Sequence, residues 1–266
     1  MLRVEYSKQI IRLRTLLALG LTVLIPTIMV LALELNRHPR RTRAVDLFDL
    51  ARQSGLNLPL AALSMMSNFL LPIVVLVFTA GSVAEEAGWG SLRYLLLRPV
   101  TRSRLLASKL IVAVTLSLIG ALLVTASALA EGVVAFGWHP ILTPSLTTLS
   151  QSTALFRISI ATIYVFWSLM GVICFGFMLS VMTDSTLGAV AGGIGLVIIS
   201  DILNAIQPLG SLRTVLPTHH WHAWEQLFAS QANTSDMVHG LFLQVPYAAA
   251  ALCLAWWWFH RKDILT

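Results

Sequence analysis

Long stretches of this sequence contain no charged side chain, and that feature limits what the chain can fold into. Asp, Glu, Lys and Arg make up only 11% of the 266 residues, and 57% are hydrophobic. Because about 20 apolar residues in a helix cross the roughly 30 Å hydrocarbon core of a bilayer, most of these stretches are long enough to be membrane spans. The uncharged stretches are 15–33, 53–84, 110–130, 158–183, 185–200 and 237–260.

The pattern predicts an all-α integral membrane protein with six transmembrane helices. The fourth and fifth are separated only by residues 182–186, and joined they would form a helix of about 70 Å, more than twice the hydrocarbon thickness. We therefore expect a tight hairpin at Asp184. Asp201 is expected near the outer end of the fifth span, because a carboxylate at mid-membrane costs about 2.5–3.5 kcal/mol. The predicted spans lie near residues 15–35, 60–83, 110–130, 158–181, 186–206 and 241–259.

The remaining segments predict a single transmembrane domain over residues 1–266. The two long outer loops, 36–59 and 207–240, are too short to bury a core of their own. Prolines at positions 26, 72 and 246 are candidate hinges in three spans, although membrane helices also tolerate prolines without a functional reason. Glycines between Gly188 and Gly195 are expected to allow close packing against another helix.

Basic residues in the short loops predict that both termini are cytoplasmic. Four basic residues precede the first span, and the first span usually sets the topology. Five arginines between residues 37 and 52 oppose this orientation, partly offset by Asp46 and Asp49. We expect a multi-pass protein of the cytoplasmic (inner) membrane of a prokaryotic cell, in contact with anionic lipid head groups. No nucleic-acid partner is expected, because no soluble domain is left to carry a basic face.

The segment between the second and third spans carries the most informative pattern. It starts with Glu85 and Glu86, which suit the positive end of a helix. Trp89, Leu92, Leu95 and Leu96 then follow at helical spacing, which predicts a short amphipathic helix that ends before Pro99. Such a helix either lies among lipid head groups or docks into a groove on a cytosolic partner.

Eleven residues of this region resemble the corresponding pattern of type-2 ABC transporter permeases. Those permeases carry an acidic residue, a Gly-Thr or Gly-Ser-Leu, paired leucines, Pro-Val and an Arg before a Lys that opens the third span. The basic tail 259–264 is also similar to that of many members, whereas Gly88 departs from the pattern, since relatives often carry a second acidic residue there. The matching residues are Glu86, Gly90, Ser91, Leu92, Arg93, Leu95, Leu96, Pro99, Val100, Arg102 and Lys109.

The resemblance implies a non-catalytic membrane subunit. Two such permeases, identical or homologous, would pair and sit on two copies of a cytosolic ABC ATPase subunit, which would hold the ATP and Mg. This chain would bind no cofactor, and it has no Gly-rich phosphate loop of its own. The coupling segment, residues 84–109, would transmit the motion of the ATPase. The residues that would contact or orient the ATPase are Glu85, Glu86, Gly90, Ser91, Leu92, Arg93, Leu95, Leu96, Arg98, Pro99 and Arg102.

The cargo is expected to be hydrophobic or amphipathic, such as an antibiotic or drug, a lipid or a peptide. Transporters coupled to ions, and intramembrane enzymes, normally place ionisable groups face to face at mid-membrane. The predicted spans contain almost none.

A second candidate site lies in the predicted loop 207–240. His219, His220, His222 and Glu225 could bind a metal, and the alternative function is therefore a polytopic membrane enzyme or a metal-handling protein. The spacing lacks the His-Glu-x-x-His pattern of zinc hydrolases. The competing interpretation is that Trp221 and Trp224 anchor this loop at the membrane–water interface. The same interpretation applies to the tryptophans at 256–258, at the inner end of the last span.

Overall fold

The computed structural model describes residues 2–35, 47–88, 101–143, 148–229 and 234–261, and these residues are mostly helical. Three short 3₁₀ helices, Gly55–Asn57, Gln207–Val215 and Ala223–Phe228, lie in the connections between the longer helices. The α-helices are α1 (Leu2–Ile10), α2 (Leu13–Leu35), α3 (Leu47–Ala51), α4 (Leu58–Asn68), α5 (Leu70–Ala80), α6 (Ala84–Gly88), α7 (Arg102–Phe136), α8 (Gln151–Ser168), α9 (Met170–Met182), α10 (Thr186–Ala205) and α11 (Ser235–Arg261).

Among the described residues, five helical segments are long and apolar enough to cross a membrane. They are α2, α7, the nearly continuous α8–α9, α10 and α11. A sixth is added if the segments Gly55–Asn68 and Leu70–Ala80, which meet at a bend of 58°, count as one span. The helical character of the prediction is therefore confirmed, and the long apolar helices are compatible with a membrane protein. The third predicted span, 110–130, is longer than expected, because α7 has 35 residues and a length of about 52 Å.

The bend between α4 and α5 is explained by Pro72. Proline has no N–H, so the carbonyl of Asn68, four residues earlier, loses its helical donor, and α4 ends at that residue. Pro26 and Pro246 lie inside α2 and α11, which continue through them. Of the three candidate hinges, only Pro72 lies beside a break in its span.

The predicted hairpin at Asp184 is confirmed. Helix α9 ends at Met182 and α10 begins at Thr186, where the Ser185 hydroxyl accepts a hydrogen bond from the Gly188 N–H at 3.2 Å. The expected close packing of glycines is found at two positions. A Cβ on Gly192 would lie 2.9 Å from Leu179 Cδ1, and one on Gly193 would lie 2.2 Å from Leu76 Cδ2.

Three apolar clusters hold the described helices together. The largest one joins α2, α4, α5 and α8 with the loop that precedes α11. A small one lies between α2, α5 and α7. The third packs Leu106 of α7, Phe177 of α9 and Phe259 of α11, so the start of α7 meets the end of α11. We call this the terminal end of the bundle, because α1 also lies there. The loop between α7 and α8 adds two short antiparallel strands, Ile141–Leu142 and Thr148–Leu149, which the all-α prediction did not include.

A close backbone contact between Gly55 and α7 gives a testable prediction about this packing. A Cβ on Gly55 would lie 2.3 Å from the carbonyl oxygen of Gly132, so Gly55→Ala is expected to destabilise the protein by about 1–3 kcal/mol through overpacking. Equilibrium unfolding of the purified protein in mild detergent measures this. Gly20→Ala is the matched control, because no atom lies within 4 Å of a Cβ at that helical position. Equal stability of the two variants would contradict the packing argument.

Candidate functional site

The structure describes the two ends of the predicted coupling segment. Glu85 and Glu86 lie on the short helix α6, and Arg102 is the first residue of α7. The predicted site residues that lie outside the described residues are Gly90, Ser91, Leu92, Arg93, Leu95, Leu96, Arg98 and Pro99.

Helix α6 is fixed against the hairpin of α9 and α10. The Ser180 hydroxyl of α9 accepts hydrogen bonds from the backbone N–H groups of Val83 and Ala84, at 3.0 and 2.9 Å. These donors would otherwise be unsatisfied at the start of α6. A Cβ on Gly88 would lie 2.9 Å from the carbonyl oxygen of Asp184, so the helix lies closely against the turn of the hairpin.

Glu86 is fully buried and lies between two lysines from different helices. Its carboxylate pairs with Lys8 of α1 and, at 2.7 Å, with Lys109 of α7. Burial by itself would raise the pKa of Glu86, but the ammonium groups of Lys109 and Lys8 outweigh burial and hold the pKa below its usual value. The Lys109 ammonium also lies 3.4 Å from the Glu5 carboxylate. Lys109 therefore joins α1, α6 and α7.

Glu85 pairs with two arginines that precede or open the first span. Its carboxylate contacts Arg12 and, at 2.6 Å, Arg14. Arg14 also donates a hydrogen bond to the carbonyl oxygen of Gly81 at 3.2 Å. Around α6, four cationic side chains thus form ion pairs with three carboxylates. We call this the coupling cluster; its members are Glu5, Lys8, Arg12, Arg14, Glu85, Glu86 and Lys109.

Arg102 anchors the other end of the segment to the last helix. Its guanidinium donates to the backbone carbonyls of Phe259 and His260, both at 3.2 Å. The carbonyls at a helix C-terminus carry partial negative charge and lack helical partners, which makes them good acceptors for a guanidinium. The end of α11, where Arg261 also lies over the Trp257 ring at 4.4 Å, is thereby tied to the start of α7.

Sequence reasoning missed the partners of the two glutamates. It used Lys8, Arg12 and Arg14 only as topology signals, and Glu5 was not considered. The available signal was charge complementarity between the basic N-terminal stretch and the Glu85-Glu86 pair. That signal does not say which groups meet, because the N-terminal cations and the two glutamates are separated by 71 to 78 residues in the chain.

The histidines of the second candidate site have other contacts. His219 Nδ1 lies 2.6 Å from Asn204 Oδ1, and its ring meets that of His220 edge-on at 4.7 Å. Glu225 accepts a hydrogen bond from Ser64 at 2.9 Å. Within the part of the chain that the structure describes, no three His, Cys, Asp or Glu side chains are grouped closely enough to hold a metal ion.

The loop that carries these histidines, residues 206–229, packs into the bundle through its second half, whereas Gln207–Val215 has no buried residue; we call it the histidine loop. Trp221 and Trp224 are 2% and 1% exposed, so the prediction that they anchor the chain in lipid head groups is wrong: both indoles pack inside the protein. Side chains of the spans bind the loop backbone, with Gln244 donating to Pro217 and Tyr164 to His220. Trp257 and Trp258 of α11 remain exposed, as membrane anchors require.

The packing of the histidine loop makes its stability sensitive to pH. Burial, together with the charge of Arg213, lowers the pKa of His219, and burial with the neighbouring His219 lowers that of His220 despite the opposing Asp236. The folded protein therefore binds fewer protons than the unfolded chain just below the usual histidine pKa of about 6.5. Stability is expected to be complete above that pH and to fall as the pH drops from there toward the lowered values.

Thermal unfolding in mild detergent between pH 8 and pH 5 tests this expectation. The variant His219→Gln/His220→Gln should show a smaller loss of Tm on acidification than the original protein. His139→Gln serves as the control, because that imidazole is exposed. An unchanged pH profile in the double variant would contradict the assignment.

Comparison with known proteins places the chain in a family. No curated protein matches it. A family model with the description "Protein of unknown function (DUF2705)" matches residues 51–265, which is most of the chain. The matched region runs from the end of α3 past the end of α11, and it includes the coupling segment and the histidine loop. The chain is therefore a member of the DUF2705 family.

Proposed function

We propose that this protein is the membrane permease subunit of an ATP-driven ABC transporter, and that it exports a hydrophobic or amphipathic cargo. The permease-like pattern of the coupling segment supports this proposal, as does the set of long apolar helices. ATP would be hydrolysed by a separate cytosolic subunit. The bent pair α4–α5 is then the second of six spans, and both termini are cytoplasmic.

The coupling cluster is the observation that carries the proposal. A segment that transmits force must be held rigidly at its base, since a flexible base would absorb the motion. The carboxylates of α6 are held by cations from α1, α2 and α7, and Glu86 and Lys109 are almost fully buried. Motion imposed on the segment would thus reach three helices through charge-assisted contacts, which are stronger than neutral hydrogen bonds.

This arrangement assigns different roles to the residues of the segment. Glu86 is fully buried, and its role is to orient the segment rather than to contact the ATPase. Arg102 likewise holds the segment to α11. Direct contact with the ATPase is assigned to the part between them, above all to Leu92, Leu95 and Leu96.

The hydrophobic cargo is supported by an apolar groove between α8 and α11. The groove has a volume of about 620 Å³, within the range of small-molecule sites. Ile163 and Trp167 line one side, and Leu241, Phe242 and Val245 line the other. A groove of this composition selects apolar molecules, because it offers almost no polar partner.

Affinity purification of the tagged protein from its native membrane in mild detergent tests the proposal. Mass spectrometry of the bound material, with an ATPase assay on the eluate, is expected to find a stoichiometric cytosolic ATP-binding subunit and ATP hydrolysis. A protein that elutes alone, without ATPase activity, would contradict the proposal. Metal analysis of that protein would then examine the histidine loop.

A further inference from the structure

Part of the histidine loop lies beside the middle of the long helices. Gln244 of α11 donates a hydrogen bond to the Pro217 carbonyl at 2.9 Å, and it accepts one from the Gly171 N–H of α9 at 3.2 Å. The Thr218 hydroxyl lies 2.8 Å from the Ser200 hydroxyl of α10. Contacts with three helices therefore fix the level that this point of the loop reaches.

The depth of this point follows from its distance to the terminal end of the bundle. At 1.5 Å per residue, Gly171 lies about 17 Å from the end of α9, and Ser200 lies about 21 Å from the start of α10. Gln244 lies about 20 Å from the exposed Trp257 of α11. The hydrocarbon core is about 30 Å thick, and it does not extend past the exposed Asp184 between α9 and α10. The loop thus enters the hydrocarbon layer from the opposite side by about 10 Å or more, and any helix tilt increases that depth.

The 3₁₀ helix Gln207–Val215 forms the part of the loop that leads down to this point, and none of its residues is buried. In a 3₁₀ helix, side chains three residues apart share a face. Leu212 and Val215, which are 67% and 56% exposed, form an apolar face that suits lipid. Ser211 and Thr214 are exposed on another face. The helix therefore presents polar side chains at a depth where lipid tails offer them no partner.

We propose that a water-filled vestibule lies against the polar face of this helix and extends into the hydrocarbon layer from the side opposite the terminal end. A short helix leaves the backbone groups of its ends without helical partners. At membrane depth such backbone is tolerated only inside the protein or beside water, and this helix is not buried in the protein. The inference rests on the membrane position of the spans proposed above, but not on coupling to an ATPase.

Arg213 on the same helix favours water over lipid or a second copy of the chain. Its guanidinium forms no ion pair with any described carboxylate, and an arginine at this depth is costly unless water or a counter-charge reaches it. A symmetric contact with a second copy would pair this face with itself, and Gln207–Val215 contains no carboxylate. The vestibule would give the polar part of an amphipathic molecule a route to water.

Thiol modification of single-cysteine variants in native membranes tests the proposal, after both native cysteines are replaced by alanine. Ser211→Cys and Thr214→Cys are expected to react with a charged, membrane-impermeant methanethiosulfonate about tenfold faster than the controls, because the thiolate reacts and apolar surroundings suppress it. The controls are Leu212→Cys, on the apolar face of the same helix, and Ile199→Cys. Ile199 is 60% exposed on α10 at a similar depth. Mass spectrometry of the purified protein measures the modified fraction over time.

A fluorescence measurement on the reconstituted protein establishes the depth. A bimane label attached to Leu212→Cys in detergent should be quenched by phospholipids brominated in their acyl chains, and a label on Thr214→Cys should be quenched by iodide in the water. A Leu212 label that brominated chains do not quench would place the helix outside the hydrocarbon layer and overturn the proposal. Equally slow thiol modification of all four variants would mean that lipid or a second copy covers the polar face, which would also overturn it. Neither measurement requires the ATP-binding subunit, so a protein purified without that subunit would contradict the transport function and leave this result unchanged.

Discussion

Replacing Lys109 by Met is expected to lower the free energy of unfolding by about 3–5 kcal/mol. Lys109 is almost fully buried and pairs with the fully buried Glu86 at 2.7 Å. Its removal leaves the buried Glu86 with only the partly exposed Lys8 and takes the Lys109 ammonium away from the buried Glu5, so the desolvation cost of both carboxylates is no longer fully offset. Equilibrium unfolding with SDS in mixed micelles measures the loss.

Two comparisons make this test specific. Lys8→Met removes the other lysine from Glu86, but its side chain is 38% exposed, so water replaces part of the contact and the loss should be smaller. The double variant Glu86→Gln/Lys109→Met removes both charges of the closest pair and should recover part of the stability, since Glu5 still lacks the Lys109 ammonium. Equal losses for Lys8→Met and Lys109→Met would contradict the buried position assigned to Lys109.

Leu96→Asp is expected to reduce capture of the ATP-binding subunit to background while leaving the amount of protein in the membrane unchanged. A carboxylate in the apolar stripe of the segment would have to be buried without a partner when the segment docks. Quantitative mass spectrometry after affinity purification measures the captured subunit. This expected loss rests on the proposed function, and capture of the subunit at the original stoichiometry by the variant would contradict it.

The control for this variant is Leu187→Asp. Leu187 is 82% exposed at the start of α10, beside the turn against which α6 lies, so Leu187→Asp introduces the same charge near α6 but outside the coupling segment. The Leu187→Asp variant should capture the ATP-binding subunit as well as the original protein does. Glu85→Gln complements the pair: it weakens the coupling cluster without touching the apolar stripe, so it should keep the subunit but lower transport per ATP hydrolysed.

The structure changes which glutamate can serve as a probe of coupling. A charge reversal at Glu86 would place a cation beside Lys8 and Lys109 in a fully buried position, so loss of folding would obscure any effect on transport. Glu85 is 17% exposed at its side chain and tolerates a neutral substitution better. Burial thus separates two adjacent residues that look equivalent in the sequence.

The membrane character, the positions of the long helices and the hairpin at Asp184 could all be read from the sequence, because each depends on local composition. An uncharged run of about 20 residues spans a bilayer whatever its neighbours are. The charge at Asp184 ends one span and begins the next for the same local reason. The close packing of Gly192 and Gly193 was also predictable, since small residues in spans commonly allow helices to approach.

The pairing of charges and the burial of the loop tryptophans were decided by tertiary structure. Glu86 meets Lys8 and Lys109 only because α1, α6 and α7 converge at one end of the bundle, and no periodicity in the sequence encodes that convergence. Trp221 and Trp224 look like interface anchors from composition alone, yet they pack inside because side chains of α8 and α11 hold the loop backbone. Long-range contacts of this kind depend on the arrangement of distant helices, whereas a hydrophobic span depends only on its own residues.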